Sequence, residues 1–409
     1  MISRVTSEFA ARYGQPAKLV ARAPGRVNLI GEHTDYSLLP VLPMAIDRSV
    51  LVAAGPGRGG LLEADSLSRP SPLATRAPFA VEKAATWHRY IAAAVATVGE
   101  RSEGAQLLIG GDLPSEGGLS SSSALTVALV AALNGLWQLG FDDQGLIEAA
   151  IAAERATGVE GGMMDQTVIV RAAEGAALRV DFDPTRTRPV PIPEGLSVVA
   201  AYSGRPAPKG AGAKSAYNRL VVASRTAAAL LGRGRDSGRL ASLGRLALIP
   251  DISSSAADLP EAATAEIVAA ETAIPTELLV ELSAGEFDPA EVLPIRAAAQ
   301  HAFSEANRVN EAEQALLNGE WSRFGQLLDD SQASLVALGV STAELGRLVA
   351  SMRAAGAAGS RLTGAGFGGY AIAACQPEVV PRVIEAAEQA TGGPSFVVKP
   401  AGGLVTSVI

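Results

Sequence analysis

At 409 residues, with 48% hydrophobic and 19% charged side chains, the chain exceeds what one core usually holds, and two globular domains are expected. A net charge of −8 argues against the basic face that nucleic-acid binding needs, and no run reaches the ~20 apolar residues of a membrane span. Cys375 is the only cysteine, so no intrachain disulfide forms, and the opening MISRVTSEFAARYG lacks the apolar centre of a signal peptide. A cytoplasmic protein without nucleic-acid or membrane partners is the expectation.

In chain order, residues 7–13 read as a short amphipathic helix and residues 18–22 as a strand that runs into Pro24 and Gly25. GRVNLIGEHTDY (25–36) then gathers Arg26, Asn28, Glu32, His33, Thr34, Asp35 and Tyr36 around Gly31. A solvated turn could hold such a set, but carboxylates, an imidazole and hydroxyls together also suit the donors and acceptors of a sugar. Residues 54–80 look like a surface excursion with short strands, and 87–98 like a helix headed by Trp87, an adenine-stacking face or plain core.

The stretch GDLPSEGGLSSSSALTVAL (111–129) organises the rest. Pro114 ends a strand, Gly117 and Gly118 permit backbone angles closed to other residues, and Ser120, Ser121, Ser122 and Ser123 open an apolar helix. The first amides of a helix lack internal partners and sit at its positive end, so this pattern suits a phosphate, or simply a capped core helix. Apolar helices follow at 126–139 and 144–156. Glu154 lies in the second of them, either as a solvated helix charge or as an oxygen ligand for magnesium. Beyond Gly158, Gly161 and Gly162 comes Asp165, which either approaches a ligand or caps a helix.

Strands are expected at 176–182 and 196–202, with the Pro-rich 183–195 as a connector and a domain boundary near 190, giving units 1–190 and 191–409. A loop then opens a helix at about Ser215 that carries Tyr217, either facing a cleft or in the core. Residues 259–351 are helical in pattern. Residues 359–375 (GSRLTGAGFGGYAIAAC) put five glycines within 359–369 and then an alternating apolar strand, a phosphate-contacting strand-loop-strand or a tight hairpin. A helix at 379–390 and a closing strand complete a small α+β unit.

Together GRVNLIGEHTDY, LPSEGGLSSSSAL, GGMMDQ and SRLTGAGFGG resemble, in order, the motifs of GHMP-family sugar kinases of the galactokinase branch, and WHRYI, AYNRL and FGQLLDDSQASL extend the likeness over nearly the whole chain. The resemblance implies an α/β (α+β) two-domain fold. Its first domain would be ribosomal-protein-S5-domain-2-like and its second ferredoxin-like, with the active site between them. It implies transfer of the ATP γ-phosphoryl group to the anomeric hydroxyl of galactose, by a monomer or weak homo-oligomer. Asp165 matches the family's catalytic aspartate and Arg26 the arginine that orients it. Glu32, His33, Asp35, Gly162 and Tyr217 match sugar contacts. Gly117, Gly118, Leu119 and Ser120 to Ser123 match the phosphate loop, Trp87 the adenine pocket, and Ser122 and Glu154 the Mg2+ positions.

The chain departs from the branch pattern at Ser37, Leu38 and Leu39, where an Asn-Gly type turn is common, and at Glu116, where glycine is common. Arg219 and Leu220 stand where two arginines are common. The four serines and GVEGGMMDQ look closer to N-acetylgalactosamine kinases, and Gly161 with Gly162 would leave space for a 2-acetamido group. A non-catalytic ATP and sugar sensor is the alternative of another class. The presence of both Arg26 and Asp165 favours an enzyme, and EHTDY separates the chain from mevalonate- and homoserine-type kinases.

Overall fold

The structure, a computed structural model, describes residues 1–68, 71–76, 87–99, 101–115, 117–158, 162–207, 211–233, 242–280 and 287–409, with 211–214 as backbone only. Glu116 and Gly161, singled out above, lie outside the described residues. The first half runs α1 (Ile2–Tyr13), β1 (Leu19–Ile30), β2 (Leu42–Pro56), β3 (Leu61–Ser66), β4 (Leu73–Arg76), α2 (His88–Val98), β5 (Ala105–Gly111), α3 (Ser121–Trp137), α4 (Asp143–Ala156), α5 (Met164–Arg171), β6 (Ala176–Asp181) and β7 (Arg186–Pro191). The second half runs β8 (Ser197–Tyr202), α6 (Ala211–Leu231), α7 (Leu243–Leu246), α8 (Ala265–Thr272), α9 (Thr276–Val280), α10 (Ile295–Asn318), α11 (Trp321–Ala337), α12 (Ala343–Ala354), β9 (Gly359–Leu362), β10 (Tyr370–Cys375), α13 (Val380–Thr391), β11 (Ser395–Val398) and β12 (Val405–Val408).

A six-stranded sheet in the order β12-β1-β2-β5-β3-β4 forms the first layer, and a four-stranded sheet, β11-β8-β10-β9, the second. All pairings are antiparallel except β3 with β5. Because side chains alternate along a strand, β1 and β2 bury both faces. Leu19, Ala21, Val52 and Ala54 meet Val127, Val130 and Ile151 of the helices, while Val20, Leu51 and Ala53 meet Val5 and Phe9 of α1. The far ends of the same two strands, at Val27, Leu29 and Met44, join Ile372, Phe324 and Leu327 in a core shared with the second sheet. The end of β1 is therefore fixed from both halves of the chain.

The Pro-rich connector expected at 183–195 contains β7, which pairs with β6 from Asp181↔Arg186 to Ala176↔Pro191. β7 is an edge strand of a two-stranded ribbon, where Pro189 and Pro191 need no outward N–H. The closing strand is two strands in different sheets. β11 pairs with β8, the chain breaks at Pro400, Gly402 and Gly403, and β12 pairs with β1 at Leu19↔Val408. The last residues thus complete the first sheet, across the boundary expected near 190. Among the described residues no helix is long and apolar enough to cross a membrane.

Candidate active site

Arg26 sits on β1 and Asp165 in the first turn of α5, 139 positions apart in sequence, and they form a two-pronged ion pair. Arg26 Nε donates to Asp165 Oδ1 at 2.7 Å and Nη2 to Oδ2 at 2.9 Å. Planar fork-to-carboxylate pairing of this kind fixes both groups in one orientation. A third nitrogen, Nη1, donates to the carbonyl of Gly118, and the Ser120 hydroxyl donates to Asp165 Oδ2. Burial alone would lower the pKa of Arg26, but Asp165 reverses this, with help from Glu32 and Asp35, and the guanidinium stays charged.

After Ile30 the backbone leaves the sheet through two left-handed positions, Gly31 and His33, and makes a single 3-10 turn at Asp35–Ser37. That turn brings Asp35 against the segment before α5. Met164 N–H reaches Asp35 Oδ2 at 3.5 Å, and a Cβ on Gly162 would lie 1.6 Å from the same oxygen, so only glycine allows this approach. Burial, then the charge of Asp165, pushes the Asp35 carboxyl up to about 6, against the pull of the Met164 and Tyr36 amides and Arg26.

His33 carries no charge at neutral pH, because burial, and after it the neighbouring His301 ring and Arg361 guanidinium, lowers its pKa to about 3. Its Nε2 lies 3.1 Å from the carbonyl of Ala365, which can only accept, so Nε2 carries the proton and Nδ1 accepts from the Tyr36 hydroxyl at 3.2 Å. Tyr217 completes an aromatic triangle, its ring centroid 5.7 Å from His33 and 5.8 Å from Tyr36, and its oxygen accepts from the Gly162 amide. Asp35, His33, Gly162 and Tyr217 therefore share one wall beside the Arg26–Asp165 pair.

Glu32 stands apart from that wall. It is buried, and both oxygens are engaged by protein. Asn28 Nδ2 and the Gly364 amide each donate at 2.6 Å, and Arg361 pairs with it at 2.7 Å. The sugar-contact position expected for Glu32 is thus occupied by a side chain that faces the junction with β9.

The loop before α3 has positive φ at Gly117, Gly118 and Ser120. Its three successive carbonyls are turned onto protein donors: Gly117 accepts from Tyr370 N–H at 2.8 Å, Gly118 from the Arg26 side chain, and Leu119 from Arg26 N–H at 3.2 Å. In trans peptides the N–H opposes the C=O, so the amides of Gly118, Leu119 and Ser120 face the other way and line up with the N-terminus of a 17-residue helix. Such a set of amides at the positive end of a helix suits an anion. Leu119 itself is core, and the Ser121 hydroxyl is spent on Ser115 O at 3.1 Å.

Glu154 is buried, which removes the reading of a solvated helix charge. Ser123 Oγ donates to it at 2.9 Å and Gln166 Nε2 at 2.5 Å, and its pKa rises to about 7 through burial and then the charge of Asp165, opposed by hydrogen bonds from Ser123, Ser122 and Gln166. Among the described residues no group of three or more His, Cys, Asp or Glu could hold a metal ion. One buried carboxylate beside hydroxyls still suits a magnesium ion that takes most of its ligands from phosphates and water, and Gln166 Oε1, buried without a protein partner, adds a free acceptor there. Trp87 is half-buried at the head of α2, against the core of the first layer.

Sequence reasoning missed Arg361, Glu305, His301, Thr363 and Gln166. His301 and Glu305 lie one helical turn apart on α10, and their ionisable side chains on a buried face were the available signal. Gln166 directly follows Asp165, and Arg361 and Thr363 open the glycine-rich run.

Comparison with known proteins bears on the whole chain. Residues 7–56 match the galactokinase galactose-binding signature, residues 88–172 the GHMP kinases N terminal domain and residues 312–392 the GHMP kinases C terminal family. A galactokinase of Chloroflexus aggregans is 34% identical over 392 residues, 94% of this chain and 91% of that protein. A galactokinase of a Roseiflexus species is 33% identical over 374 residues, 89% of this chain and 85% of that one. The crystal structure of Lactococcus lactis galactokinase complexed with galactose superposes with a TM-score of 0.79 at 27% identity, covering 99% of both chains. Methanococcus jannaschii mevalonate kinase shares the fold, with a TM-score of 0.65 at 15% identity over 94% of this chain and 99% of that one.

Proposed function

The chain belongs to the galactokinase family of GHMP kinases, and on that premise we propose that it transfers the γ-phosphoryl group of ATP to the anomeric hydroxyl of galactose, giving galactose 1-phosphate and ADP. The observation that carries this reading is the Arg26–Asp165 fork, tied through Gly118 to the phosphate loop. An ionised carboxylate offers about four acceptor positions, and Arg26 with Ser120 takes three of those on Asp165, which leaves one for the anomeric O–H. A guanidinium has about five N–H groups, of which three are used here, so two remain for the oxygens of the moving phosphoryl.

The anomeric oxygen bonds to Pγ as the bond from Pγ to the β,γ-bridging oxygen breaks. The proton passes to Asp165, and the electron pair leaves on ADP. Such transfers have a loose transition state, so fixed charges and positioning supply most of the acceleration. Asp35, ionised above pH 6 or so, accepts from sugar hydroxyls, and His33, Gly162 and Tyr217 bound the hexose. Glu32 holds the shape of this loop from behind. The amides of Gly118, Leu119 and Ser120, with Ser122 and Ser123, receive the phosphates, and half-buried Trp87 offers a face to the adenine. Mg2+ would be held by Glu154 and Ser122, with Gln166 beside them, and supplies charge neutralisation on the nucleotide. We place the enzyme in the cytoplasm, as a monomer or weak homo-oligomer, and the lone buried Cys375 suits a reducing compartment.

The test is ADP release from ATP and Mg2+ with galactose, N-acetylgalactosamine, arabinose and galacturonate in turn. Galactose is expected to give a kcat/KM at least about tenfold above the others, the selectivity that about 1.4 kcal/mol from one hydroxyl contact provides. ADP release that does not depend on galactose would overturn the assignment.

A further inference from the structure

One segment, residues 363–370, which runs from the end of β9 to the first residue of β10, touches both proposed substrate loops. On the sugar side, Thr363 Oγ1 accepts from Asn28 N–H at 2.8 Å, Gly364 N–H donates to Glu32 at 2.6 Å, and the Ala365 carbonyl accepts from His33 Nε2 at 3.1 Å. On the phosphate side, Tyr370 N–H donates to the Gly117 carbonyl at 2.8 Å. The segment and the phosphate loop approach each other closely at glycines: a Cβ on Gly369 would lie 2.4 Å from Gly117 O, one on Gly364 2.9 Å from Gly118 O, and one on Gly118 3.0 Å from Thr363 O.

The segment is anchored behind the sugar loop by buried charge. Arg361, with no exposed surface, donates to Leu29 O at 3.0 Å and pairs with Glu32 at 2.7 Å. Glu305 accepts from Gly31 N–H at 2.9 Å, and the neutral ring of His301 donates through Nε2 to Glu32 O at 2.9 Å. Main-chain groups of residues 28, 29, 31 and 32 thus find their partners in the second half of the chain rather than in their own sheet. A buried polar group left unpaired costs about 1–3 kcal/mol, so this segment and the sugar loop move together or not at all. Glycine packing gives the phosphate loop equally little freedom against the same segment.

We propose that residues 363–370 couple the two substrates: sugar bound at the 31–36 loop tightens nucleotide binding at the 117–123 loop, and the reverse, with Arg361 and Thr363 as positioning residues. This rests on the sugar-kinase reading. Coupling of this kind is a free energy shared by both sites, so each ligand must change the other's affinity by the same factor.

The experiment is calorimetric. Galactose is titrated into the full chain with and without saturating Mg2+ and a non-hydrolysable ATP analogue, and the analogue is titrated with and without galactose. In the wild-type chain both ratios of dissociation constants are expected to agree at about fivefold or more, the lower end of measured couplings. Thr363→Val keeps the shape but loses the hydroxyl, and its ratio is expected within about twofold of one, while Thr363→Ser keeps the wild-type ratio. A loss of packing alone would weaken each ligand separately without erasing the ratio. A wild-type ratio of one overturns the inference whatever the variants do, and so does a Thr363→Val chain that melts as the wild type and keeps its ratio. If neither galactose nor the analogue binds the wild-type chain, the sugar-kinase reading itself fails, a different result from two ligands that bind independently.

Discussion

Replacing Gly162 by alanine tests the sugar wall through one methyl group. The added Cβ would lie 1.6 Å from Asp35 Oδ2 and 2.1 Å from Cγ, and both belong to a carboxylate on a short, stiff side chain. Ordinary contact begins at 3.4 Å, so Asp35 or the segment before α5 must give way by well over 1 Å. A misplacement of that size breaks the contact between Asp35 and a bound sugar. A hydrogen bond to a charged group is worth about 1.5–3 kcal/mol, or roughly 10- to 150-fold in affinity. Calorimetry with galactose alone is expected to show a dissociation constant raised by about that range, with nucleotide affinity in the absence of sugar changed by less than about threefold. A Gly162→Ala chain that binds galactose within about threefold of wild type would refute the placement of Asp35 at the sugar.

Asp165→Asn keeps the hydrogen-bonding shape but removes the proton acceptor, so single-turnover transfer is expected to fall by at least about 10³, with galactose affinity changed by less than tenfold. Near-normal turnover in a quench-flow assay would remove Asp165 from the chemistry. Because burial and Asp165 raise the Asp35 carboxyl to about 6, and the sugar needs its ionised form, galactose affinity should hold above pH 6 and weaken as pH falls through it. The limit is about tenfold per pH unit, and Asp35→Asn should abolish this dependence; an unchanged slope in that variant would assign the titration elsewhere. Gly325 on α11 lies backbone to backbone on β9, where a Cβ would sit 2.1 Å from Ala358 O. Gly325→Ala is therefore expected to destabilise the fold by about 1–3 kcal/mol in urea denaturation, and a wild-type midpoint would contradict that packing.

Periodicity and turn chemistry made much of this legible. The helix at 87–98 and those across 259–351 appear where apolar spacing placed them, because their buried faces are read from 3.6-residue repeats. What escaped were features decided by a distant partner. β7, with Pro189 and Pro191, reads as a connector until β6 supplies its pairing. The split of the closing segment into β11 and β12 depends on two different sheets. Glu154 looks like any acidic residue on a helix, and only Ser123 and Gln166, reached by folding, show why it is buried. Glu32 is subtler still. Its motif pointed to the sugar, while its actual partners include Gly364, 332 positions away, and nothing local reports so remote a contact. Arg26 and Asp165 each sit in a motif dense with glycine and polar groups, but what links them in sequence is the resemblance to the family alone, since their fork forms across 139 positions.

In the proposed reaction a sugar oxygen at C1 meets the terminal phosphorus of ATP beside the Arg26–Asp165 fork. This step is tested most directly by the position of phosphate on the product made from galactose labelled with 13C at C1, ATP and Mg2+. Carbon–phosphorus coupling at the labelled carbon is expected, appearing with wild-type enzyme and absent with Asp165→Asn. A product phosphorylated at another carbon, or the same C1 signal at wild-type rate from the Asp165→Asn chain, would contradict it.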